Sequence, residues 1–89
     1  MHEDFALAAF EATFDAIDFK QRLERAGIVC AVMPLPQSIE SSCGLAVRFG
    51  LEQLTRAEEV RAQARADGMA VALYRARIVS GRPVFSAMA

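Results

Sequence analysis

Two side chains in this sequence have the chemistry of a nucleophile at neutral pH, Cys30 and Cys43. Cys43 has the more suggestive frame, MPLPQSIESSCGLAVRFG, residues 33–50. A thiol attacks only as thiolate, and only where a partner can reach it. Here it lies where a prolyl loop runs into a strand, a junction that gives access. Gly44 removes the neighbouring side chain and lets another backbone come close. Ser41 and Ser42 bring hydroxyls and backbone N–H groups that can hold an anion on sulfur. Pro34 and Pro36 stiffen the loop stem. Arg48 is the nearest cation in sequence, but it alternates away from Cys43 along a regular strand. Its help therefore depends on strand twist or on a neighbouring chain. Glu40 is close as well, and its charge would raise the thiol pKa rather than lower it. The competing reading of Cys43 is a small residue that packs at a strand end, as free cysteines often do.

Cys30 stands inside an apolar stretch, IVCAVM, with the parity of Ile28 and Val32. That is the setting of a small core residue. The sharper alternative is a resolving thiol that closes a disulfide with Cys43. Other site chemistry is absent from the pattern. Two cysteines without CxxC spacing and one histidine, His2, make no metal site. No glycine-rich phosphate loop occurs, and one terminal histidine provides no Ser-His-Asp set. No cofactor is expected.

The totals narrow the setting. The chain has 89 residues and a formal net charge of −1. No basic excess points to nucleic acid. No apolar run is long enough to span a membrane. The opening MHEDFALAAF carries acids where a secretion signal needs a basic region. A cytoplasmic location with reduced thiols is the expectation.

The elements that must position Cys43 follow from periodicity. DFALAAF is a short apolar run of strand length. FDAIDFKQRLERAG places Ala16, Phe19, Leu23 and Ala26 on one helical stripe, with Thr13 as its cap and Gly27 as its stop. IVCAVM is a strand that Pro34 and Pro36 end. In CGLAVRF, Leu45, Val47 and Phe49 share one face. LEQLTRAEEVRAQARADG is a second helix, with Leu54, Ala57, Val60 and Ala64 inward and Gly68 as its stop. MAVALY is a further strand. The order β-α-β-β-α-β predicts an α+β, ferredoxin-like fold: an antiparallel sheet with two helices on one face. We expect one such domain over residues 1–76 and a C-terminal tail over 77–89, with a short strand near Val84 and Phe85.

Leu7, Ile28, Val32, Leu45, Val47, Phe49, Val71 and Leu73 are expected beneath the helices. The opposite parity, including Ala6, Ala8, Phe10, Ala31, Ala46 and Ala72, is then too apolar for a face that meets water. Either the tail covers it, through Ile78, Val79, Val84 and Phe85, or a second copy does. A homodimer through this open sheet face is the expectation.

The segment MPLPQSIESSCGLAVRF resembles the Se/S carrier protein-like family, through Pro34, Pro36, Ile39, Ser41, Ser42, Cys43, Gly44, Leu45, Ala46, Arg48 and Phe49. The turn LERAGI, residues 23–28, adds to the likeness, which extends over residues 5–74. The resemblance implies a carrier that holds sulfur or selenium on Cys43, as a persulfide or perselenide, between a donor and an acceptor protein. Such a protein is a carrier or binding protein more than an enzyme. Two other readings stay open: a non-catalytic oligomeric adaptor or regulatory module in which Cys43 is structural, and a thiol redox sensor using Cys30 and Cys43.

Overall fold

The computed structural model describes residues 3–40 and 43–88. Its elements are β1 (Phe5–Phe10), α1 (Thr13–Arg25), β2 (Cys30–Pro34), β3 (Leu45–Gly50), α2 (Leu54–Ala66), β4 (Val71–Val79) and β5 (Arg82–Met88), with a short 3-10 turn, Leu51–Gln53, leading into α2. The architecture is α+β, a five-stranded antiparallel sheet with two helices. The strand order is β2-β3-β1-β4-β5.

Both helices end where glycine was expected to end them. After α1, Gly27 takes a φ of 81°, its N–H bonds the Glu24 carbonyl at 3.0 Å, and the Ile28 N–H bonds the Leu23 carbonyl at 2.9 Å. Gly68 repeats this after α2 with a φ of 91°. These are Schellman closures, and the left-handed residue is why glycine stands there. The α1 stripe buries Ala16, Phe19 and Leu23, while α2 buries Ala57 and Ala64.

The layer beneath the helices contains Ala6, Ala8, Phe10, Val47, Phe49, Val71 and Leu73. Phe10 meets Phe19 of α1 with ring centroids 5.4 Å apart. The expected parity of β1 is therefore inverted, because Leu7 lies on the opposite face with Phe5 and Ala9. All six residues of β1 are buried, so alternation carried no signal there. The small Ala6 and Ala8 sit under the helices, where two layers must approach closely.

The open face is covered partly by Ile78 and Phe85, the first of the two alternatives, and partly by the prolyl loop, which the sequence did not reveal. Ile39, from the prolyl loop, is 7 % exposed and belongs to the second apolar cluster with Leu7, Ala9 and Ala46; Leu35 packs against the same cluster. The residues after 76 are not a tail. β4 runs on through Val79, and β5 pairs with it, setting Phe85 opposite Ala76. Phe85 in turn meets Phe5 edge-on at 6.2 Å. The bare apolar sheet that motivated a face-to-face homodimer is thus largely filled by the chain itself.

Candidate functional site

Pro34 and Pro36 bracket the start of the loop that leads to Cys43. Pro34 is the last residue of the edge strand β2, opposite Leu45. The Leu35 N–H bonds the Gly44 carbonyl at 2.9 Å. In an antiparallel ladder this turns the Pro34 nitrogen outward, the one orientation in which a proline costs no sheet hydrogen bond. The Ile39 N–H then closes a turn on the Pro36 carbonyl at 3.0 Å. The loop is thus pinned at its base by a backbone bond and along its length by the buried Ile39.

Cys43 shares the parity of Leu45, Val47 and Phe49, so it faces the helices. Its side chain is 1 % exposed and belongs to the main core cluster. This corrects the expectation of an open thiol: the loop-strand junction is at the surface, but the pleat turns this side chain inward beside the start of α1. Its sulfur lies 3.8 Å from Thr13 Oγ1 and 3.5 Å from the Leu45 carbonyl oxygen, and it accepts the Leu45 N–H at 3.4 Å. Thr13 was expected to cap α1. Instead Ala12 is the N-cap, with no side-chain hydrogen bond, and the Thr13 hydroxyl is left to the sulfur. The thiol thus donates its weak S–H toward an oxygen while its sulfur accepts one backbone N–H, and the Thr13 hydroxyl can turn to face it.

Gly44 is exposed, and a Cβ at this position would meet nothing within 4 Å. The space beside the thiol is real, although sterics alone do not demand glycine. Ser41 and Ser42 lie outside the described residues, as does His2. Arg48 does not join this group. It is on the opposite sheet face, with its guanidinium carbon 3.9 Å from the centroid of the Phe5 ring. Strand alternation wins, and no twist brings the charge round to Cys43.

Cys30 is half-buried and pairs with Phe49, whereas Cys43 precedes Leu45 at the other end of β3. The six positions between those levels amount to roughly 20 Å of strand. A disulfide needs Cα atoms within about 7 Å. The two thiols therefore cannot pair within one folded chain, which removes Cys30 as a resolving thiol for Cys43. Burial pushes the Cys30 thiol up from its ordinary pKa, and the nearby Glu24 carboxylate adds to it. Its sulfur bonds the Lys20 carbonyl at 3.7 Å.

Among the described residues no cluster of three or more His, Cys, Asp or Glu side chains could hold a metal, and no helix is long and apolar enough to cross a membrane. Sequence reasoning named Ile39 only as a motif residue and Thr13 only as a helix cap, and missed the role of each at the site. Only the register of β1 against β3 brings Thr13 to the sulfur, and no local pattern encodes that.

No curated protein and no solved structure matches this chain. A family model does match it, over residues 5–70, a span that runs from the first residue of β1 to the residue before β4 and includes the whole loop, Cys43 and Arg48. The chain belongs to the family described as putative Se/S carrier protein-like.

Proposed function

We propose that this protein carries sulfur or selenium on Cys43, as a persulfide or perselenide, between a donor and an acceptor protein. The observation that carries the reading is the family match over the loop and thiol, together with the polar contacts of the Cys43 sulfur. In the loading step the Cys43 thiolate attacks the outer sulfur of a donor persulfide. A bond forms between Sγ and that sulfur, the donor S–S bond breaks, and its electron pair leaves on the donor thiolate. In the delivery step an acceptor thiolate attacks the same outer sulfur, a new persulfide forms on the acceptor, and Cys43 departs as thiolate. The transferred atom keeps its oxidation state, so neither step needs an oxidant or a reductant. The Leu45 N–H and the Thr13 hydroxyl face the charge that returns to Sγ in delivery. Because the thiol rests buried, each transfer requires its covering residues to move aside. We further read β1–β4 with α1 and α2 as a ferredoxin-like unit extended by β5, a reading supported by the order β2-β3-β1-β4 within the sheet.

The test is intact mass after incubation with a cysteine desulfurase and either cysteine or selenocysteine. One added chalcogen that survives Cys30→Ser and vanishes in Cys43→Ser is the expected result. The burial of Cys43 favours a second reading, an adaptor in which this cysteine only packs. No adduct, together with a Cys43→Ser variant that retains function, would select it.

A further inference from the structure

Arg48, which takes no part in the Cys43 group, lies in a groove of its own. Arg48 is exposed on the face away from Cys43 and lies at the floor of a groove of about 370 Å³. Pro36 and Met33 form one wall, Ile78, Pro83 and Phe85 the other, and Phe5 continues the floor. This size is within the range of small-molecule sites, roughly 300–1,000 Å³, which are mostly apolar with a few placed polar groups.

The charge in the groove is available. Arg48 sits over the Phe5 ring, its guanidinium carbon 3.9 Å from the centroid, a contact through the face of the ring that uses none of its N–H donors in a hydrogen bond. Among the described residues it makes no ion pair. Glu3 also lines the groove but does not bridge to it. The neighbouring Asp4 is already committed, to Arg75 at 3.2 Å and to the Ile78 N–H at 3.1 Å. A planar cation with its donors unspent is the partner of a carboxylate, which it can hold with two parallel hydrogen bonds. Apolar walls beside it call for an apolar body. We propose that the groove binds a medium-chain monocarboxylate, with its carboxylate on Arg48 and its chain between Met33 and Phe85. This site does not rest on the carrier reading: it uses no contact of the Cys43 sulfur and sits on the other sheet face, and it shares only Pro36 with the loop that leads to the thiol.

Octanoate is the probe, with 1-octanol as its neutral counterpart. Both are titrated into the full chain while the methyl signals of Met33 and Ile78 are followed by NMR. Saturable shifts with octanoate are expected, with binding at least about tenfold tighter than for 1-octanol. Arg48→Met should reduce octanoate to the level of the alcohol, and Arg48→Lys should restore part of the difference. Cys43→Ser should leave the titration unchanged. Equal binding of acid and alcohol, octanoate binding that persists in Arg48→Met, or shifts that never saturate would each overturn the assignment. So would a dimer by light scattering whose Met33 and Ile78 signals respond to protein concentration and not to octanoate, since a second copy would then fill the groove.

Discussion

Truncating Ile39 tests whether the prolyl loop controls access to Cys43. Ile39 is 7 % exposed, packs in the open-face cluster and lies four residues before the thiol. Ile39→Ala removes the side chain beyond Cβ. At about 0.8 kcal/mol per buried CH2, with some allowance for collapse of the cavity, the loss is about 2.5 kcal/mol. Cys43 is 1 % exposed, so a reagent reaches it only through an opening. If that opening is the release of the loop, its free energy falls by the same amount. Alkylation of Cys43 by iodoacetamide should then accelerate roughly 60-fold, at 1.4 kcal/mol per factor of ten. The assay is the rate of mass gain in a Cys30→Ser background. Leu73→Ala is the control: Leu73 is buried in β4 beneath the helices, so its loss weakens the whole fold without touching the loop. It should lower the urea midpoint as much as Ile39→Ala and leave the Cys43 rate nearly unchanged. An unchanged rate in Ile39→Ala would refute the argument. So would equal acceleration in both variants, because exposure would then require global unfolding.

Three further outcomes follow from single contacts. The Ile78 N–H, and after it the Arg75 guanidinium, hold the Asp4 carboxyl below its ordinary pKa of 3.8. A group depressed on folding stabilises above its unfolded pKa and loses that contribution as pH falls through the folded value. The Tm gap between wild type and Asp4→Asn should therefore be full at neutral pH and close below pH 3.8; a gap constant across that range would refute it. Burial and Glu24 raise the Cys30 pKa, so in a Cys43→Ser background its alkylation profile should lie above that of free cysteine. Glu24→Gln should move the profile back down, and no movement would exclude the charge as a cause. Phe19→Ala should cost about 3–5 kcal/mol by urea melting, since Phe19 is fully buried against Phe10; a loss under about 1 kcal/mol would contradict that packing.

Much of this protein is local and therefore legible in its sequence. Gly27 and Gly68 end the helices because the chain there turns left-handed, and glycine does so without a Cβ penalty. The stripe Ala16, Phe19 and Leu23 repeats with the helix, so its buried face can be read directly. The family is legible as well, since the match runs along consecutive residues, 5–70. What the tertiary structure decided depends on pairing across the sheet. β1 is apolar on both faces, so only packing against Phe19 and against Ile39 assigned each side. The residues after 76 read as a tail because Ser80, Gly81 and Pro83 interrupt the pattern. Ser80 at a φ of 51° and Gly81 at 77° instead turn the chain into the β4–β5 hairpin. The burial of Cys43, its contact with Thr13, the separation of Cys30, and Arg48 on the far face all follow from strand register and pleat. Register is set by which distant strands pair, and no window of sequence around the cysteine contains that information.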